Sequence, residues 1–424
     1  MHPVFHASHS SAFIRGAMFL ALFAASFAQA QVAIKGKTVY TMSDAKTITD
    51  GVVVITDGKI AAVGKAADVK IPDGYKVIEG AVVTPGLIDG RGTVGVSGIF
   101  NQKQDQDQLE RSSPVQPELR GIDAYNPNDP LVAWVRSLGI TTVHTGHAPG
   151  ELVSGQTCIV KTTGKTVDQA KVVETATVAA TLGPWAEKPA PASPGTRAKM
   201  IAMLREELIK AQEYLKRGEM TAPPLLPPKD GDKKEEPGRS LHTEALVRVI
   251  KREIPLMVTA NRSQDISGAL RIAKEFNIRI ILDSASEAYM LIDELKAANV
   301  PVIIHPTMFR MFGEMENMSM ETCAKLIHAG IPVAMQSGFE SYVPKTRVVL
   351  FEAAIAAANG CTFEEALSTI TTQPAKILGI AERVGQLKVG MDGDVAIFDG
   401  DPFEYTSHCI GVVIDGAVVS DAVK

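Results

Sequence analysis

Cysteine is scarce in this 424-residue chain, and neither sign of charge is in large excess. The four cysteines, Cys158, Cys323, Cys361 and Cys409, are widely scattered and form no C-x-x-C pair. That spacing excludes a zinc knuckle and a disulfide-knit scaffold. Isolated buried thiols are the expectation, with any pairing left open. Lys and Arg total 43 against 48 Asp and Glu, a net charge of −5. No nucleic-acid partner is implied by such a balance, and there is no acidic tail. No repeat of fixed period stands out. Beyond Ala30 no apolar run is long enough to span a bilayer.

What is present is an ordinary globular balance, 45% hydrophobic and 21% charged. At about 150 residues per domain the length predicts two or three domains, unless a barrel absorbs it. The N-terminus carries Arg15, a short apolar stretch from Gly16 to Phe27, and Ala28-Gln29-Ala30. A positive flank, a stretch too short to span and an A-x-A site form the pattern of a secretory signal peptide over residues 1–30. Cleavage after Ala30 predicts an exported protein, periplasmic or secreted.

Short strands and tight turns fill the mature N-terminus. Val52 to Ile55 runs into Asp57-Gly58 and back through Ile60 to Val63, an Asp-Gly hairpin signal. The C-terminus repeats it, with Val412-Val413-Ile414 entering Asp415-Gly416. One small β-sandwich assembled from residues 31–84 and 382–424 is expected. Between them, apolar runs alternate with helical stretches. They lie near Val82–Ile88, Thr141–Val143, Cys158–Val160, Lys171–Val173, Leu256–Val258, Ile278–Leu282, Val300–Ile304 and Ile331–Met335. Eight continuously apolar runs predict a parallel sheet covered by helices, and eight is the number that closes a TIM-type (β/α)8 barrel. The fold class is therefore α/β, with the barrel over 85–381. Polar insertions interrupt it near 101–129 and 221–239.

Two motifs bring a family into view. Val83-Thr84-Pro85-Gly86-Leu87-Ile88-Asp89 resembles the first barrel strand of the amidohydrolase superfamily, written P-G-L-I-D-x-H-x-H. Pro374 to Gly379, followed by Val384-Gly385 through Gly393-Asp394-Val395, is similar to the segment returning such chains to their sheet domain. Ala260-Asn261-Arg262 and Glu287-Ala288-Tyr289 are similar to segments of the imidazolonepropionase-like and exported dipeptidase-like branches. The resemblance implies metal-assisted hydrolysis of C–N bonds in amides, cyclic amides or dipeptide-like substrates. Divalent ions, usually zinc, would activate water at the C-terminal ends of the strands.

Carried over position by position, the ligand set is substituted. The two histidine positions of the first strand hold Arg91 and Thr93. The later ones fall at Thr259 and Ser284, and the last-strand aspartate falls at Gly338. Hydroxyls are weak neutral ligands, glycine offers none, and a guanidinium opposes a divalent ion. The reading that follows is a catalytically degenerate family member acting as a binding or scaffold subunit, with no cofactor. Arg91, Lys161, Arg262, Glu287 and Arg310 are placed at the barrel mouth as a site for a small carboxylate or amide. The bland alternative pairs Arg91 with Asp89 or Asp283. The family resemblance also implies a homo-oligomer, or a hetero-oligomer with an active homologue. The competing expectation is an active hydrolase with a rebuilt metal site on His144, His147 and His305, which would require zinc or another divalent metal. Serine chemistry is disfavoured, because Ser154-Gly155-Gln156 lacks the G-x-S-x-G elbow.

Overall fold

The computed structural model describes residues 31–100, 102–220, 238–304, 311–339 and 349–420. The expected leader, most of the second polar insertion, His305 and Arg310 lie outside the described residues. Among the described residues no helix is long and apolar enough to cross a membrane.

Both ends of the chain build one β domain, as the two Asp-Gly signals suggest. From the N-terminus come β1 (Val32–Tyr40), β2 (Thr47–Thr56), β3 (Lys59–Lys65) and β4 (Lys76–Pro85). From the C-terminus come β15 (Val395–Phe398), β16 (Cys409–Ile414) and β17 (Ala417–Ser420). The seven strands form one hydrogen-bonded sheet in the order β17-β16-β15-β4-β1-β2-β3, and the antiparallel β4–β15 pair joins the two ends. Its apolar face buries Ile34, Val53, Ile55, Val83, Val395 and Ile397. Each hairpin turns on Asp-Gly with positive φ at both residues, 53° and 77° at Asp57-Gly58, 48° and 76° at Asp415-Gly416. This is the type I′ geometry that matches strand twist and that Asp-Gly tolerates.

The barrel wall contains β5 (Leu87–Gly92), β6 (Ile140–Thr145), β7 (Val153–Gln156), β8 (Cys158–Lys161), β9 (Lys171–Val173) and β10 (Val178–Thr181). It continues with β11 (Leu256–Ala260), β12 (Ile280–Ser284), β13 (Val302–Ile304) and β14 (Val333–Met335). The apolar run near Val82–Ile88 is thus divided. Its first part ends the terminal sheet, and Gly86 marks the step into the barrel, where a side chain would strike that of Thr141.

Strands β10 to β14 are parallel, as are β5 and β6. The Cys158–Val160 run departs from the all-parallel expectation. Strand β8 is antiparallel to both β6 and β9, and β7 is antiparallel to β10. Only residues 146–152 separate β6 from β7, whereas a parallel crossover needs about a dozen residues or more. The chain therefore returns directly. Strands β7 and β8 act as one bent strand, as do β9 and β10, and Thr157 N to Thr177 O (3.0 Å) and Ala176 N to Thr157 O (2.8 Å) carry the ladder across the bend.

The other seam lies between β14 and β5. A Gly92–Gly338 bridge joins it at the top, with Gly338 N donating to Arg91 O at 3.1 Å. At the lower end the carbonyls of Thr369 and Ile370 accept from Met335 N and Ile88 N. Gly90 permits the approach, because a Cβ there would lie 2.6 Å from the Met335 carbonyl oxygen.

Helices cover the outside and are bounded by local signals. Asp129 caps helix Pro130–Ser137 through Leu131 N, with proline in the first turn. Asn277 and Asn299, both left-handed, stop helices Ser263–Phe276 and Ile292–Ala298. A Thr362–Glu365 capping box opens helix Phe363–Ser368.

Candidate functional site at the barrel mouth

Inside the barrel, Ala179, Met257, Ile281, Ile303 and Ala334 form a buried apolar layer. Strand side chains alternate, so residues two positions further along also point inward. On β11 and β12 and just past β14 these are Thr259, Asp283 and Gln336, and they form a closed network. Thr259 Oγ1 donates to Asp283 Oδ2, and Gln336 Nε2 donates to Asp283 Oδ1 at 2.7 Å. Gln336 also reaches the Ile303 carbonyl at 3.1 Å.

Above this network lies a small cavity bordered by Arg91, Thr93, Ser284 and Gly338, together with Trp185 and Gln336. It has room for about one water-sized group. Four of the five substituted family positions therefore line one cavity. The fifth, Thr259, sits directly beneath through Asp283. Ser284 holds a left-handed φ of 69° at the end of β12.

Arg91 dominates the electrostatics. It is buried at 3% exposure, and its Nη2 donates to the His147 carbonyl. Burial pulls its pKa down, while Asp283 and Asp89 favour its charge. The direct pairing of Arg91 with Asp89 or Asp283 is not formed among the described residues, and Arg91 Nη1 has no hydrogen-bond partner there. Asp89 is instead clamped by backbone and hydroxyl donors. Ser337 N donates at 3.0 Å, Arg91 N at 3.2 Å, and Ser337 Oγ completes the set. Burial nonetheless pushes Asp89 up to about 6.

The relocated site fares poorly on its described members. His144 is fully buried, with Nδ1 2.7 Å from the Gly90 carbonyl and Nε2 2.7 Å from Thr157 Oγ1. A carbonyl only accepts, so Nδ1 carries the proton and Nε2 accepts from Thr157. Burial and the Arg91 charge hold His144 down to about 3, and His147 to about 4 for the same two reasons. Both are neutral, and His144 has no free lone pair. His305 lies outside the described residues.

Three mouth assignments change. Lys161 is at the opposite end of the barrel because β8 runs antiparallel and its C-terminal end points down. There Lys161 Nζ meets Asp392 at 2.7 Å, Asp394 at 3.1 Å, and Asp415. Arg262 and Glu287 do lie near the top, but they serve each other and their neighbours. Arg262 bonds Glu316 at 2.6 Å and lies 3.5 Å from Glu287, which accepts from Ser263 N and Asn317 Nδ2. Arg310 lies outside the described residues. Sequence reasoning missed the clamps Gln336 and Ser337. Their signal was their place immediately before Gly338, where the family aspartate is expected.

The donor set does not fit a divalent ion. Asp89 and Asp283 already accept from fixed donors, the buried Arg91 charge acts on both, and the hydroxyls are weak ligands. Among the described residues no three His, Cys, Asp or Glu side chains are placed to hold a metal ion.

A TIM-type barrel with a sheet domain made from both chain ends, and a site at the strand C-termini, defines the architecture of the amidohydrolase superfamily. The chain belongs to the amidohydrolase family, which it matches over residues 132–420. An amidohydrolase from Thermotoga maritima MSB8 superposes with a TM-score of 0.84 at 27% identity, over 92% of this chain and 100% of that one. A prolidase complexed with N-methylphosphonate-L-proline shares the fold at 15% identity and a TM-score of 0.56, over 92% of this chain and 100% of that one. Amidohydrolase tasK of Hapsidospora irregularis is 23% identical over 397 residues, 88% of this chain. This chain spans only 39% of that protein's length.

Proposed function

We propose that this chain is a non-hydrolytic amidohydrolase-family barrel that binds a small carboxylate or amide on Arg91. The supporting observation is the buried Arg91, a lining residue of the mouth cavity whose Nη1 has no hydrogen-bond partner among the described residues. Leaving a buried cationic donor unpaired is costly, and a ligand oxygen would satisfy it with a charge-assisted bond. Only a carboxylate or amide head group fits a cavity of this size, and the rest of an acyl amino acid or its amide would lie outside it, in line with the C–N bond chemistry implied by the family. A chain retaining the barrel without its ligand set is suited to a binding or scaffold role, alone as an oligomer or beside an active homologue.

Titration calorimetry with acetate, N-acetyl amino acids and their amides tests the reading. Wild-type protein binds at least one of them. Arg91→Met abolishes binding, and Arg91→Lys weakens it about tenfold by losing the planar fork. Equal affinity in wild type and Arg91→Met contradicts the assignment. So does turnover of the same compounds by protein carrying one metal ion per chain.

A further inference from the structure

Two of the four scattered cysteines are not isolated. Cys323 lies in helix Thr322–His328, and Cys361 lies in the turn between helices Val349–Ala358 and Phe363–Ser368. The next residue after Cys323 is Ala324, and the one before Cys361 is Gly360. A Cβ on Gly360 would stand 3.1 Å from the Ala324 Cβ, so the two segments pack with almost nothing between them. Both thiols are free and buried, at 0% and 6% exposure, in the same apolar core.

We propose that Cys323 and Cys361 are a redox pair that closes to a disulfide when the folded chain meets a small-molecule disulfide, tying helix Thr322–His328 to the turn before helix Phe363–Ser368. Their chemistry separates the two roles. The neighbouring Cys323 side chain holds Cys361 below the usual thiol range, while Cys361 and burial push Cys323 well above it. Cys361, the slightly more exposed of the two, is the attacking thiolate, and Cys323 is the resolving thiol. The Cys361 thiolate attacks one sulfur of the oxidant and expels its other half as a thiolate, leaving a mixed disulfide. Cys323 then gives up its proton and attacks Cys361 Sγ, releasing the second half. One disulfide is consumed, two small thiols are produced, and the protein loses two thiol protons. Burial pushes Cys158 up to about 12 and Cys409 to about 11, so neither competes as a thiolate.

The full chain, reduced and then equilibrated with glutathione disulfide, is assayed by thiol counting and peptide mapping. Two of the four thiols disappear, the cross-linked peptide joins Cys323 to Cys361, and Tm rises by about 5 °C through closure of the intervening loop. Cys361→Ala, checked for folding by circular dichroism, forms no bridge and leaves Cys323 unmodified. Under limiting iodoacetamide Cys361 of the reduced protein alkylates first. Persistence of all four thiols in the folded protein overturns the proposal, as does a bridge to Cys158 or Cys409.

Discussion

At the residue scale, a buried cation occupies the first of the positions where the family pattern expects a metal ligand. Arg91 carries a permanent charge into a buried layer, and the carboxylates around it are held by Ser337, Gln336 and Thr259. His144 illustrates the cost of reading function from residue type alone. Its place after an apolar run marks a strand end correctly. Its two hydrogen bonds, to Gly90 and Thr157, arise from a bulged β5 and a bent hairpin that no local pattern announces. The structure predicts a neutral imidazole throughout the physiological range. A histidine whose pKa drops to about 3 when folded takes up its proton only on unfolding, so acidification below about 6.5 destabilises the protein. Imidazole ¹⁵N shifts recorded from pH 8 to pH 5 show the Nδ1–H tautomer unchanged. Protonation near pH 6 contradicts the assignment. His144→Gln makes the fall in stability below pH 6.5 shallower by about one proton's worth of slope.

At the element scale, the antiparallel β7–β8 segment decides which groups meet. All eight apolar runs near the barrel wall correspond to wall strands, because continuous burial writes itself into composition. Strand direction was less legible. It depends on whether the connection has room for a crossover, and the short segment 146–152 does not. Reversing β8 moves Lys161 from the mouth to the contact with the terminal sheet. There burial works against its charge, but Asp394, Asp415 and Asp392 outweigh it and raise its pKa. Asp392 in turn is held at about 2 despite burial, through Lys161 and Lys59. Lys161→Met leaves the buried Asp394 without a cationic partner among the described residues, while Asp392 keeps Lys59 and Arg383, and it costs about 3 kcal/mol. Denaturant melts check this, with Lys161→Arg expected to recover part of the loss. A Lys161→Met protein as stable as wild type contradicts the interdomain role.

At the scale of the whole molecule, the chain keeps the family's architecture, and the proposed function holds that its coordination chemistry is replaced. The motifs at both ends of the barrel were legible because they do structural work. Gly86 clears Thr141 at the entry to β5, and the Asp392–Asp394 segment anchors the terminal sheet on Lys161. The substituted positions were legible only against the family pattern. Their convergence on one cavity required the folded barrel. The central claim is that this convergence no longer forms a metal site. Its most direct test is metal content by mass spectrometry, after the full-length purified protein is incubated with excess zinc, manganese or iron and then exhaustively dialysed. The account predicts retained metal far below one ion per chain, unchanged by His144→Ala or His305→Ala. Near-stoichiometric metal that disappears in those variants would contradict it.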